Sequence, residues 1–74
     1  MKHNKDNDYL KALGANIRLI RKSKSITMEE LANEAEIEYR QLGRIERGEI
    51  NTSVLSLLRL SECLAVPITD LFKF

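Results

Sequence analysis

The sequence contains few of the residues that build disulfides, metal sites and aromatic-rich cores. Its 74 residues include one cysteine, one histidine, one proline, three glycines and no tryptophan. The single thiol, Cys63, cannot close an internal disulfide, which is typical of proteins kept in a reducing compartment. One cysteine and one histidine are too few for a closed zinc site made of protein ligands alone. We therefore predict no structural metal and no disulfide framework.

Long apolar stretches and an excess of one charge are also absent. No apolar run approaches the ~20 residues that a transmembrane helix requires. Residues 1–7 are polar and lack the apolar segment of a secretory signal, so we expect a cytoplasmic protein with no membrane partner. Because 12 basic residues oppose 11 acidic ones, any case for nucleic-acid binding depends on where the charges lie.

The length limits the chain to one compact domain. A domain of this size buries about 60% of the surface that its unfolded chain exposes, which leaves little room for a deep catalytic cleft. The sequence holds no nucleophile–base pair, carboxylate dyad or glycine-rich phosphate loop. We predict a flexible polar tail over residues 1–7 and one domain over residues 8–74, which is not an enzyme and binds no cofactor.

Helical repeats of apolar residues, separated by helix-breaking residues, predict an all-α fold. No stretch alternates apolar and polar residues as a half-buried strand does. The first helix is predicted to be capped by Asp8 and to end near residues 22–25. Its inner stripe is predicted to consist of Leu10, Leu13, Ile17 and Ile20.

Two short helices follow. Thr27 and Glu30 have the spacing of a capping box, and the second helix should end near residues 35–36. Its inner face is predicted to consist of Leu31, Ala32 and Ala35. The third helix is predicted over residues 39–47, with Leu42 and Ile45 directed inward and Gly48 at its C-terminal end.

The remaining sequence predicts two more helices and completes a compact five-helix domain. The fourth covers about residues 53–65, and a very short fifth helix begins at Pro67 with Leu71 directed inward. The inner side of the fourth helix is predicted to hold Val54, Leu57, Leu58, Ser61 and Leu64. Cys63, beside Leu64, is interpreted as a small core or boundary residue.

The second and third helices have the layout of a helix-turn-helix, in which the second member of the pair enters the DNA major groove. The second helix is acidic, whereas Arg40, Arg44 and Arg47 share one face of the third. Arginine is well suited to bidentate contact with guanine, and Gly43 should leave a flat spot between the first two arginines. Charge spacing alone is equally compatible with a solvated, salt-bridged face.

Four short motifs follow one another along roughly residues 11–72. They are Leu13-Gly14 before Ile17-Arg18-Leu19-Ile20-Arg21, Ile26-Thr27 with Glu30-Leu31-Ala32, Leu42 before Arg44-Ile45-Glu46-Arg47-Gly48, and Asn51 with Leu57-Leu58 and Leu71-Phe72. In these motifs and their order, the chain resembles the Xre, or phage-repressor-type, helix-turn-helix transcription regulators. For a standalone chain of this size, the resemblance implies a small homodimeric repressor or a controller of a restriction–modification operon.

This resemblance implies roles for individual residues and double-stranded DNA as the partner. The positions that match base-contacting residues are Tyr39, Arg40 and Arg44. The positions that match backbone-contacting residues are Thr27, Gln41, Arg47 and Asn51. Arg21 and Glu46 match a buried ion pair that ties the first helix to the recognition helix.

Five positions depart from the family pattern and predict a weaker hold on phosphate. Met28 replaces a phosphate-holding glutamine, Glu36 replaces a glycine, and Glu38 replaces a hydroxyl cap. Glu49 and Ile50 stand where the loop often carries a base. These departures motivate an alternative on the same fold: an antitoxin-like interaction module that binds a second protein.

Apolar residues outside the predicted core suggest self-association. The predicted dimer interface consists of Leu55, Ile68, Phe72 and Phe74. A homodimer would place two recognition helices about one DNA turn, ~34 Å, apart on a palindromic operator. For Phe72, the alternative left open is that its ring closes the core.

Overall fold

The computed structural model describes residues 5–74, and within that range every regular element is helical. Four α-helices, α1 to α4, are followed by a 3₁₀ helix, η1. Their bounds are Asp6–Ser23, Met28–Ala35, Tyr39–Glu46, Val54–Cys63 and, for η1, Ile68–Phe72. The predicted all-α class is confirmed, except that the fifth element is a 3₁₀ helix rather than an α-helix. No helix in this range is long and apolar enough to span a membrane.

The first helix begins earlier than its sequence predicts. Asp8 is the predicted cap, but α1 starts at Asp6, and Lys5 precedes it without a side-chain cap. Two aspartates, Asp6 and Asp8, therefore lie in the first turn, where negative charge interacts favourably with the helix dipole. Of the predicted tail, residues 1–4 lie outside the described range, and Asp6 and Asn7 are helical.

All five elements contribute to one apolar core. α1 packs against α3 and η1, α2 packs against α3 and α4, and α4 packs against η1. The apolar side chains buried between these elements are Leu13, Ile17, Leu31, Ala32, Ala35, Leu42, Ile45, Leu57, Leu60, Leu64 and Leu71. The predicted inner faces of α2 and α3 are confirmed, and each short helix is held mainly by burial rather than by helix propensity.

The predicted capping box begins α2. The backbone N–H of Glu30 donates to Thr27 Oγ1 over 3.1 Å, and the backbone N–H of Thr27 donates to Glu30 Oε1 over 2.9 Å. At the other end, Glu36 adopts the left-handed conformation with φ 56°. This is a conformation that glycine adopts without strain, which explains why the family favours glycine there.

The inner face of α4 is rotated from its predicted position. Val54 and Leu58 are predicted to lie inside, but they are 72% and 40% exposed. Leu57, Ser61 and Leu64 are buried as predicted, together with Leu60, which is not in the predicted set. Both sets have the i, i+3, i+4, i+7 spacing of a helix face, so periodicity alone could not choose between them. The predicted N-cap is present, because Ser53 Oγ accepts from the backbone N–H of Ser56 over 3.1 Å.

Two residues of α1 fasten the elements on either side of it. A Cβ placed on Gly14 would lie 2.6 Å from the carbonyl oxygen of Glu46, so α1 and α3 approach closely only because this residue has no side chain. Two residues further along, Asn16 Nδ2 donates to the carbonyl oxygens of Asp70 and Leu71 over 2.9 and 2.8 Å. α1 thereby fixes the positions of both α3 and η1.

Candidate nucleic-acid interface

α3 has one buried face and one face in solvent. Leu42 is fully buried and Ile45 is 3% exposed, which anchors the helix against the core. The residues on the outer side are exposed, and Tyr39 is 60% exposed. The exposed residues that the sequence predicts to contact bases or backbone from this helix and its end are Tyr39, Arg40, Gln41, Arg44 and Arg47. The structure therefore leaves all five of these predicted site residues exposed on α3 and at its end.

A buried ion pair holds α3 to α1. Arg21 Nε donates to Glu46 Oε2 over 2.7 Å, and Arg21 Nη2 donates to Glu46 Oε1 over 3.0 Å. The two side chains are 8% and 4% exposed. Arg21 Nη1 also donates to the carbonyl oxygen of Ile26 over 2.9 Å, which connects the pair to the loop before α2.

The buried pair is fully satisfied in its hydrogen bonds. The bond to Glu46 raises the pKa of Arg21, although desolvation by burial opposes the rise. Among the described residues, no buried side-chain nitrogen or oxygen atom lacks a hydrogen-bond partner. Since a buried charge without a partner is strongly destabilising, this arrangement fixes the orientation of α3 as well as its position.

A second ion pair lies on the exposed surface just beyond α3. Arg47 Nε donates to Glu49 Oε2 over 2.7 Å, and Arg44 Nε lies 3.9 Å from Glu49 Oε1. Hydrogen bonding to Arg47 lowers the pKa of Glu49, and the same bond raises the pKa of Arg47. The sequence indicates an acidic departure at this loop, but sequence reasoning missed its contact with two candidate DNA-binding arginines.

The two remaining candidate backbone contacts, Thr27 and Asn51, lie outside α3. Thr27 shares a surface hollow with Met28, Glu29 and Tyr39, so the start of α2 adjoins the start of α3. The hydroxyl of Thr27 already accepts the capping hydrogen bond. Asn51 is exposed and lies apart, in a hollow formed with the first residues of α1.

Gly43 does not form the predicted flat spot on the outer surface. It is buried, and a Cβ at this position would lie 3.0 Å from Arg47 Nη1 and 3.4 Å from Met28 Cε.

Arg18 lines a surface hollow together with Gly43 and Arg47, and it is not among the predicted site residues. Its position three residues before Arg21, on the same side of α1, is the sequence feature that could have identified it.

The four candidate dimer residues differ in exposure. Leu55 is 64%, Phe74 54% and Phe72 39% exposed, whereas Ile68 is half-buried against the core. The ring of Phe74 contacts the ring of Tyr9 edge-on, with centroids 5.1 Å apart. Part of the Phe74 ring is therefore already covered by α1 of its own chain.

The described residues contain no group of three histidine, cysteine or acidic side chains placed to hold a metal ion. Cys63 is partly buried at the edge of the core. Burial raises the pKa of its thiol, and the neighbouring charges of Glu34 and Glu62 act in the same direction. The thiolate, which is the reactive form, is therefore disfavoured.

The chain is similar to known helix-turn-helix regulators in sequence. Residues 17–71 match the model of the helix-turn-helix family HTH_3. The uncharacterized HTH-type transcriptional regulator y4dJ of Sinorhizobium fredii is 31% identical over 64 residues, which make up 86% of this chain and 83% of that protein.

Solved structures of regulators share the fold. The restriction-modification controller protein C.AhdI of Aeromonas hydrophila matches with a TM-score of 0.84 and 30% identity, over 85% of this chain and 96% of C.AhdI. The clp gene regulator ClgR of Corynebacterium glutamicum matches with a TM-score of 0.83 and 30% identity, over 85% of this chain and 67% of ClgR. The order of motifs, the packing of α2 against α3 and these similarities agree: the chain belongs to the Xre-type helix-turn-helix family, HTH_3.

Proposed function

We propose that the protein is a sequence-specific transcriptional regulator that inserts α3 into the major groove of double-stranded DNA. The observation that carries this proposal is the two-sided character of α3. Its inner face is anchored by packing and by a buried ion pair, while Tyr39, Arg40 and Arg44 extend from the outer face. A rigid helix with exposed arginines is the arrangement that direct readout of base edges requires.

Base contacts and backbone contacts have different roles in this proposal. Arg40 and Arg44 select bases, since a guanidinium can donate two hydrogen bonds to guanine, and Tyr39 contacts the bases nearest the start of α3. The surrounding polar groups hold the DNA backbone and set the register. These backbone-contacting groups are Gln41, Arg47, Asn51 and the N-terminus of α2 at Thr27.

The regulator is proposed to act as a homodimer on a palindromic operator. α4 and η1 pack against each other, and both carry exposed apolar side chains. The proposed interface comprises Leu55, Ile68, Phe72 and Phe74, to which the rotation of α4 adds the exposed side chains of Val54 and Leu58. Self-association would remove these side chains from water.

Selection of bound duplexes from a random pool at two salt concentrations tests the proposal. We expect a two-fold symmetric motif and an affinity that falls steeply with salt. On the selected duplex, Arg40→Ala and Arg44→Ala should each cost ~1–3 kcal/mol and relax sequence preference at one position. Arg59→Ala removes the same charge from α4 and serves as the control. Because Arg59 lies one helical turn from Leu55, sedimentation must first show that this variant has the mass of the wild type, and its affinity should then be close to wild type.

Two results would contradict this function. Unchanged affinity in both Arg40→Ala and Arg44→Ala would show that α3 is not the reading helix. Absence of duplex binding at low salt, together with tight binding to a second protein, would favour the antitoxin-like interaction module instead.

A further inference from the structure

We propose that Glu49 competes with DNA phosphate for Arg47 within the same chain, and that this competition sets the affinity and the salt dependence of the interface. This inference rests on the proposed DNA-binding function. It concerns a side chain that the proposed function leaves without a role, although it contacts two of the arginines which that function uses.

The contact between Glu49 and Arg47 uses the donors that a phosphate would use. Arg47 Nε and Nη2 both donate to the carboxylate, over 2.7 and 3.4 Å. A guanidinium binds carboxylate and phosphate through the same forked geometry. Arg47 therefore cannot offer this edge to DNA while Glu49 occupies it.

The backbone holds Glu49 in this position. Gly48, with φ 70°, reverses the chain after α3. The backbone N–H of Gly48 donates to the carbonyl oxygen of Ile45 over 3.0 Å, and that of Glu49 donates to the carbonyl oxygen of Arg44 over 2.9 Å. These two bonds form a Schellman motif, so the carboxylate is directed to the end of α3 rather than left on a free loop.

Helix stability does not account for an acid at this place. A negative charge at a helix C-terminus interacts unfavourably with the helix dipole, and Glu49 lies directly beyond the last turn of α3. The carboxylate is compensated by Arg47 and, at 3.9 Å, by Arg44. This one carboxylate thus offsets part of the positive charge of Arg44 and Arg47.

The pair is open to exchange with DNA. The side chains of Arg47 and Glu49 are 58% and 48% exposed, and ion pairs in water are weak and screened by salt. A DNA backbone that presents several phosphates can displace one carboxylate. The carboxylate then remains as a negative charge close to the DNA, which lowers affinity without preventing binding.

The test compares Glu49→Gln with Glu34→Gln in duplex-binding titrations over a range of salt concentrations. Both substitutions remove one exposed negative charge, but Glu34 lies on α2, outside the proposed dimer interface. We expect Glu49→Gln to strengthen binding by about tenfold in low salt, as changes of interfacial charge can do. Its log–log salt dependence should steepen by about 0.9 for each additional phosphate that the protein neutralises. Glu34→Gln should bind and respond to salt like the wild type.

A double-mutant cycle locates the effect. In an Arg47→Gln background, Glu49→Gln should strengthen binding by less than it does in the wild type, because only the repulsion between the carboxylate and DNA is then relieved. Equal effects of Glu49→Gln in the two backgrounds, equal effects of Glu49→Gln and Glu34→Gln, or no effect of Glu49→Gln on a bound duplex, would overturn the inference while leaving the DNA-binding function intact. If neither the wild type nor any variant bound duplex, the proposed function and the inference would both fall.

Discussion

The protein contains two arginine–glutamate pairs with the same shortest distance and opposite surroundings. In both pairs, the arginine Nε lies 2.7 Å from a glutamate Oε2. The pair of Arg21 and Glu46 is almost wholly buried, whereas the pair of Arg47 and Glu49 is about half exposed. An equal shortest distance therefore does not mean an equal consequence, because solvent exposure decides what each interaction contributes.

The environment assigns the two pairs to different tasks. In a buried site, the attraction between opposite charges is strong, and a charge left without its partner is strongly destabilising. The pair of Arg21 and Glu46 therefore holds α1 against α3. In water, the attraction is screened and readily exchanged, so the second pair adjusts the charge of the surface. One pair determines where the reading helix lies, and the other determines how much positive charge it presents.

Breaking the buried pair should have the largest effect. Glu46→Gln leaves the guanidinium of Arg21 without a counter-charge, and we expect the free energy of unfolding to fall by ~3–5 kcal/mol. Replacing both partners, as in Arg21→Met with Glu46→Met, removes the isolated charge and should recover part of that loss. Urea unfolding measured by circular dichroism at low temperature gives both values. If the double variant were as unstable as the single one, the loss would not come from an uncompensated charge.

The close approach of α1 and α3 can be separated from their ion pair. In an open helix, replacing glycine by alanine stabilises by ~0.5–1 kcal/mol. Gly14→Ala should instead destabilise by ~1–3 kcal/mol, because the added methyl group meets the backbone of α3. Gly43→Ala is the matched control, since its methyl group would meet only the ends of the Arg47 and Met28 side chains, which can move. If Gly14→Ala stabilised the protein as Gly43→Ala does, this crossing would tolerate a side chain.

The smallest effect on stability is expected from the exposed pair. Glu49→Gln should leave the thermal midpoint at neutral pH close to that of the wild type, because the contact is screened by water. The pKa of Glu49 is lowered in the folded state, so any contribution is present above the unfolded-state pKa. It is lost as pH falls through the folded-state pKa. Thermal unfolding across acidic pH checks this, and a midpoint lowered as much as in Glu46→Gln would end the distinction between the two pairs.

Local chemistry made much of the fold predictable. The capping box of Thr27 and Glu30 needs only residues three apart, and the sequence indicated it correctly. The inner faces of α2 and α3 also follow from short-range periodicity, because each helix has a single apolar stripe. The all-α class and the family followed from the same patterns and their order along the chain.

Features that depend on tertiary packing could not be predicted in the same way. α4 carries two overlapping apolar stripes, and only its packing against α2 and η1 selects the one containing Leu60. Gly43 is covered by the side chains of Met28 and Arg47, which a helix considered alone does not reveal. The contact of Glu49 with Arg47 depends on the chain reversal at Gly48. The pattern of charges in the sequence does not predict which group the Glu49 carboxylate contacts.

The two attachments of α1 have a consequence for operator choice. Gly14 and Asn16 lie within one helical turn of each other and fasten α1 to α3 and to η1, respectively. In the proposed dimer, the distance from the subunit boundary to the reading helix α3 is therefore fixed by one rigid helix, α1. Because α1 is one unbroken helix from Asp6 to Ser23, it cannot lengthen to accommodate an inserted base pair. Any operator with a different spacing would have to bend, twist or lose one half of its contacts.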